Sequence, residues 1–249
     1  NCFDDYASFK SVKEKNTTKI HATRINETEL INGVLMNGNI PRFRILIVPD
    51  FLYGVYERLK AKLTKDGFKR INEFYENGGV ILITGKSGVL FEDIGLIKLG
   101  TYDRNKILSV DNKDRITLIE ECASTYDKIY KKEDDDIEKQ MVCFFIRDYM
   151  KFGLSTTFLT KQPDASFKTL LTIDPKQKDL SITRTEDFIT SPINEEEKKY
   201  LPLFSIKKNS KGGQLYLMNF NPMLENSWKD LPFNILILGM SRQFYLSSK

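Results

Sequence analysis

The sequence predicts an α/β fold with a central, mainly parallel sheet, helices on both faces and some added antiparallel strands. Three observations predict it. Arg44-Ile-Leu-Ile-Val48 and Val80-Ile-Leu-Ile-Thr84 are continuous β-branched apolar runs, the pattern of strands covered on both faces. Between them Leu52, Val55, Leu59, Leu63, Ile71 and Phe74 recur at helical spacing, so residues 44–84 read as strand, helix, strand with a right-handed parallel crossover. An apolar fraction of 41% over 249 residues is enough for a sizeable core, in one large domain or two small ones.

From the start of the chain, residues 3–15 are polar and mildly helical. Lys19-Ile-His-Ala-Thr-Arg-Ile25 alternates and reads as a strand that ends before Asn26. Asn26 or Thr28 then caps a short helix over 29–35, because either side chain can accept from a free N–H of the first turn. Asp66-Gly67 interrupts the long helical pattern and allows two helices in place of one. Asn77-Gly78-Gly79 offers residues that tolerate positive φ at a helix C-terminus. Residues 86–95 read as a tight turn and a short helix, after which the pattern becomes irregular.

Lys131-Lys-Glu-Asp-Asp-Asp-Ile-Glu-Lys139 mixes both signs of charge without the glycine or spaced oxygen ligands of a calcium loop, so residues 124–140 are assigned to a flexible charged loop. Residues 160–200 read as a β-rich insertion carrying strands at 168–173 and 180–183. Residues 203–206 and 214–218, divided by Asn209-Ser-Lys-Gly-Gly213, form a hairpin. Residues 231–246 return to a helical period after Pro232.

Composition excludes several classes of function. Thirty-eight Lys and Arg against 34 Asp and Glu leave +4 spread over the chain, which argues against a nucleic-acid partner. No run approaches the roughly 20 apolar residues that cross a bilayer. His21 is the only histidine, which removes most zinc sites and most triads. Cys2, Cys122 and Cys143 lack paired metal spacing, and their odd number allows at most one internal disulfide. Cys143, inside Met141-Val-Cys-Phe-Phe-Ile146, reads as a buried thiol, and Cys2 as free or bonded to something outside the sequence. No metal or cofactor is expected. Asn16-Thr-Thr18 and Asn26-Glu-Thr28 are glycosylation sequons, but chance supplies roughly two in such a composition, so they favour a secreted or cell-surface origin only slightly. The opening Asn1-Cys2-Phe3-Asp4-Asp5 has no initiator Met, and the chain is expected to be one domain of a larger protein.

Gly85-Lys86-Ser87 follows a strand, as a phosphate loop would, but the first glycine of that motif falls on Val80, inside the strand. The same segment has the pattern of a nucleophile elbow, a strand turning sharply into a helix at the carboxyl end of a sheet. In order, Arg44-Ile-Leu-Ile-Val-Pro-Asp50, Phe74-Tyr-Glu-Asn-Gly-Gly-Val80, Thr84-Gly-Lys-Ser-Gly-Val-Leu90 with Gly95-Leu96, Gly213-Gln-Leu-Tyr-Leu-Met-Asn-Phe-Asn-Pro222 and Asn226-Ser-Trp-Lys-Asp-Leu-Pro232 resemble the class I glutamine amidotransferase-like fold. The resemblance touches roughly residues 26–100 and 200–246. It implies a flavodoxin-like α/β domain with a cysteine nucleophile at the elbow and a histidine base before the proline of the later strand.

Here the elbow position falls on Lys86 or Ser87, and the histidine position on Asn221. Asparagine cannot accept and return a proton near neutral pH, so a Ser87 hydroxyl has no base there, and His21 lies on a strand far from the family's arrangement. The resemblance therefore implies a degenerate member without the catalytic Cys and His, in which amidotransferase or protease chemistry is lost. Such a module acts as a scaffold or protein-interaction domain of a larger protein or assembly, as similar degenerate domains serve in oligomerisation or spacing. Its partner is a protein or another domain of the same chain, with no small-molecule ligand assigned. The alternative is a hydrolase or carbohydrate-binding site at the elbow, with Ser87 beside Asp50, Glu92 or Asp93, since paired carboxylates can hydrolyse glycosides. Lys86 is an anion-binding candidate beside a helix N-terminus, and Trp228 an anchor for the last helix. In the resembling fold a strand and a helix precede the 19–25 segment. Only residues 3–15 are available for them, so a missing upstream segment or a partner is expected at a free sheet edge.

Overall fold

The computed structural model describes residues 8–10, 17–19, 23–49, 55–88, 91, 106–110, 116–118, 154–158, 166–173, 181–184, 190–192, 194–195 and 202–219. In chain order the elements are β1 (Ser8–Lys10), β2 (Thr17–Lys19), α1 (Glu27–Ile31), β3 (Met36–Asn37), β4 (Ile40–Pro41), β5 (Ile45–Val48), α2 (Val55–Glu76), β6 (Val80–Thr84), a 3-10 turn (Gly85–Ser87), β7 (Lys106–Val110), β8 (Ile116–Leu118), β9 (Leu154–Phe158), β10 (Phe167–Ile173), β11 (Ser181–Arg184), β12 (Thr190–Pro192), β13 (Pro202–Lys208) and β14 (Gln214–Met218).

The principal sheet has the order β5-β6-β14-β13-β10-β8. β6 pairs in parallel on both sides, with Leu82 opposite Ile47 of β5 and Tyr216 of β14. Beyond β14 every pairing is antiparallel, and a second sheet, β12-β11-β7-β9, is antiparallel throughout. The α/β fold is as expected, but the parallel share is smaller: two parallel ladders against three antiparallel ones in the principal sheet. The reason is local. Residues 209–213 join β13 to β14, and so short a link closes a hairpin but cannot make the crossover that a parallel neighbour requires.

Parallel pairing on both edges puts β6 at the dry centre, and all five of its residues are buried. Ile81, Ile83, Leu215 and Leu217 join Leu63, Ile71 and Phe74 of α2 in one apolar cluster that also includes Leu35 and Val48. On the opposite face Leu82 and Tyr216 are equally buried, and Phe204 stacks on Tyr216 with ring centroids 5.7 Å apart. The helices expected on that second face, the 124–140 loop and the segment 231–246 lie outside the described residues.

Four elements differ from expectation. β5 is the outermost strand of its sheet among the described residues, and Ile45, Leu46 and Ile47 are only half-buried, because the strand has a neighbour on one side. The strand expected to run through Ile25 stops at Lys19 in its described part, and residues 23–26 are irregular. Asn26, extended at φ −95° and ψ 172°, is committed instead to capping α1. Its Oδ1 accepts from the Glu29 N–H (2.9 Å) while Glu29 Oε2 accepts from the Asn26 N–H (2.8 Å). This reciprocal capping box starts the helix at Glu27, not Glu29, and the chain turns off at residue 32. The break in α2 falls at Thr64 (φ 53°, ψ 179°), not at Asp66-Gly67, so a β-branched residue occupies a region populated almost entirely by glycine.

The amino end of β6 is locked by three segments meeting at one point. α2 ends in a Schellman motif: the Gly79 N–H donates to the Phe74 carbonyl (2.8 Å) and the Gly78 N–H to the Tyr75 carbonyl (3.1 Å), with Gly78 at φ 96°. Asn209, at the head of the β13–β14 loop, donates through Nδ2 to the same Tyr75 carbonyl (2.8 Å). Its Oδ1 accepts from the N–H groups of Gly213 (2.7 Å) and Lys211 (3.0 Å). A Cβ on Gly213 would collide with the Tyr75 carbonyl oxygen, so the loop reaches the helix only because that residue has none.

Two stability measurements test this architecture. Asn209→Ala removes three hydrogen bonds and is expected to lower the urea unfolding free energy by about 1–3 kcal/mol, with Asn209→Asp intermediate because it keeps only the acceptor. Thr64→Gly is expected to raise stability by about 1 kcal/mol, the strain at that position outweighing the lower helix propensity of glycine.

Candidate functional site

In an open α/β sheet, ligand sites form outside the carboxyl ends of parallel strands. Three strands end together here. The register sets Val48 beside Ile83 and Met218 beside Thr84, so Pro49, Gly85 and Asn219 follow at neighbouring positions on one rim of the sheet. Polar side chains are buried at this rim: Thr84, Ser87 and Asn219 are 2%, 1% and 1% exposed.

Two of these side chains tie the turn after β6 to the end of β5. The Thr84 hydroxyl donates to the Val48 carbonyl (3.4 Å), and the Ser87 hydroxyl donates to the Pro49 carbonyl. β5 is the outermost strand of its sheet among the described residues, and these two bonds supply donors to the carbonyls of its last paired residue, Val48, and of the residue after it. The turn itself is a single 3-10 turn, with Gly85 at φ 57° and a buried Gly88 continuing into helix. Among Gly85, Lys86 and Ser87 only Gly85 has positive φ, the strained conformation that lifts a nucleophile clear of an elbow. Glycine has no side chain to lift.

A serine becomes a nucleophile when a base takes its proton. The Ser87 proton points at a main-chain carbonyl, which cannot accept it chemically, and the oxygen is closed off from solvent. The geometry is that of a clamp. Of the residues singled out from the sequence, Ser87 has a described side chain, and Lys86 is placed by its backbone at the middle of the turn. Asp50, Glu92, Asp93, Asn221, His21, Trp228 and all three cysteines lie outside the described residues. The sequence motifs include Thr84, Gly85 and Asn219 but assign none of them a site role. The available signal was position alone, since each stands at or just past the end of a parallel strand.

Two tyrosines have altered acidity. Burial, reinforced by the charge of Glu76, pushes the Tyr75 phenol up to about 12, and its hydroxyl is buried without a hydrogen-bond partner among the described residues. Burial pushes Tyr216 in the same direction, with its hydroxyl donating to Gln214 Oε1 (2.7 Å). Both stay protonated near neutral pH, so neither acts as a base there. Among the described residues no group of three or more His, Cys, Asp or Glu side chains comes together to hold a metal ion, and no helix is long and apolar enough to cross a membrane. No protein-family model, curated protein or solved structure matches the chain.

The raised pKa values of the two phenols fix the sign of a pH dependence. The folded state holds the Tyr75 proton to about pH 12, while the unfolded chain releases it near the ordinary value of about 10. The native state therefore binds more protons in that window, and stability is expected to be unaffected by this group below about pH 10 and to fall above it. Urea unfolding across that range measures the fall. Tyr75→Phe is expected to make the fall shallower, the remainder coming from Tyr216, and, by removing an unpartnered buried hydroxyl, to leave neutral-pH stability unchanged or higher.

Proposed function

We propose that this chain is a non-catalytic, amidotransferase-like α/β module that works as a scaffold or protein-interaction domain of a larger protein or assembly. One observation carries the reading: the hydroxyl at the elbow, on Ser87, is buried and spent on the Pro49 carbonyl, while the position with the nucleophile's backbone conformation is Gly85. The sequence order adds support. Where the resembling family places its histidine this chain has Asn221, so neither half of the proton-transfer pair has a chemical equivalent. A turn stitched to its neighbouring strand suits a part that holds its shape. The expected partner is another protein or another domain of the same chain.

Incubation with L-glutamine is expected to release no ammonia above the uncatalysed background. Ser87→Ala is expected to lower stability by about 1 kcal/mol, the worth of one buried hydrogen bond, while altering no turnover. Ammonia release, or hydrolysis of a glycoside, that disappears in Ser87→Ala would overturn the reading in favour of a hydrolase using Ser87 with Asp50, Glu92 or Asp93.

A further inference from the structure

We propose that Asn37 is a site of spontaneous deamidation, and that the fold directs this chemistry to the β3–β4 turn while shielding the two other Asn-Gly pairs of the chain. The three pairs are Asn32-Gly33, Asn37-Gly38 and Asn77-Gly78. The chemistry open to each is the same. The deprotonated backbone nitrogen of the glycine attacks Cγ of the preceding asparagine. An N–Cγ bond forms, the Cγ–Nδ2 bond breaks, and ammonia leaves. Water then opens the cyclic imide at either carbonyl, giving aspartate or an isoaspartate whose backbone is one methylene longer. The net change is water consumed and ammonia released, and a following glycine presents no side chain to obstruct the ring.

The reaction needs a glycine N–H free of an acceptor and an asparagine amide free to rotate. At Asn32 the Gly33 N–H is held by the Leu30 carbonyl (2.9 Å), and Asn32 is the C-cap of α1. At Asn77 both groups are tied: the Gly78 N–H donates to the Tyr75 carbonyl (3.1 Å) and Asn77 Nδ2 to the Glu73 carbonyl (2.8 Å). At Asn37 neither the side-chain amide nor the Gly38 N–H has a hydrogen bond among the described residues, and both residues are exposed. Nothing stands within 4 Å of where a Gly38 Cβ would be.

The hairpin around Asn37 consists of the pairs Met36–Pro41 and Asn37–Ile40, with Gly38 at φ 60° in its two-residue turn. So short a ladder opens locally at little cost, which lets Asn37 leave its extended conformation for the ring-closing one. The base of the hairpin is fixed by the Arg42 N–H donating to the Leu35 carbonyl (2.8 Å) and by Met36 packing on the core. The modification therefore stays at the tip. There it adds a negative charge beside Ile40, which is 71% exposed, and an isoaspartate breaks the Asn37–Ile40 register.

The test is incubation of the intact chain in warm, mildly alkaline buffer, with peptide mass mapping and fragment-ion sequencing to assign each site. Methyl transfer by an isoaspartyl-specific methyltransferase gives a second readout. In the native protein Asn37 is expected to convert about tenfold faster than Asn32 or Asn77, whereas in concentrated urea all three convert at similar rates. Asn37→Gln is expected to lower methyl incorporation by the native protein by severalfold and to remove it from the peptide that carries position 37. The proposal is overturned if native Asn37 stays intact while it converts in urea, if Asn32 or Asn77 keeps pace with it in the native state, or if Asn37→Gln leaves methyl incorporation by the native protein unchanged.

Discussion

The structure depends on one constraint: β6 forms parallel ladders on both of its edges while every one of its side chains is buried. A strand with both edges paired satisfies its backbone polar groups within the sheet, so burial of Val80, Ile81, Leu82, Ile83 and Thr84 carries no main-chain penalty. That leaves the apolar gain of both faces in hand. α2 claims one face through Leu63, Ile71 and Phe74, and the Phe204–Tyr216 stack fills part of the other. The antiparallel strands extend the sheet but depend on β14 being docked against β6 in register.

The two ends of β6 are finished by different chemistry. At its amino end the main chain dominates: a Schellman turn, the Gln214 N–H on the Gly79 carbonyl (3.1 Å), and one asparagine side chain that serves the loop and the helix together. At its carboxyl end two hydroxyls from Thr84 and Ser87 reach across to the carbonyls of Val48 and Pro49. An active centre in such a sheet needs its carboxyl rim to hold side chains with protons to exchange. Here the described hydroxyls are already committed to the backbone, and this commitment supports reading the domain as a structural part.

Much of the frame was legible in the sequence. The apolar runs of β5 and β6, the helical period of α2, the Gly-Gly end of that helix and the 203–218 hairpin all show in local pattern, because each arises from residues close together in the chain. The missed features depend on distant partners or on competing local signals. Nothing in Arg44–Val48 says that its outer side has no strand among the described residues. Asn26 and Thr28 are both competent caps, and Glu29 decides between them by closing the box with Asn26. Asp66-Gly67 carries the sequence signal for a break, yet the chain kinks at Thr64, which carries none. Ser87 was legible as a hydroxyl after a strand, but its acceptor lies 38 positions earlier, and that pairing separates a clamp from a nucleophile. The other half of the candidate constellation, Asp50, Glu92, Asp93 and Asn221, lies outside the described residues.

The Asn209–Tyr75 bond spans 134 positions of the chain. During synthesis α2 and β6 emerge long before the hairpin that completes them. At the usual 5–20 residues per second, the ribosome needs roughly 7–27 s to deliver it. Through that interval the nascent polypeptide carries Val-Ile-Leu-Ile with one flank open, a template for intermolecular strand pairing.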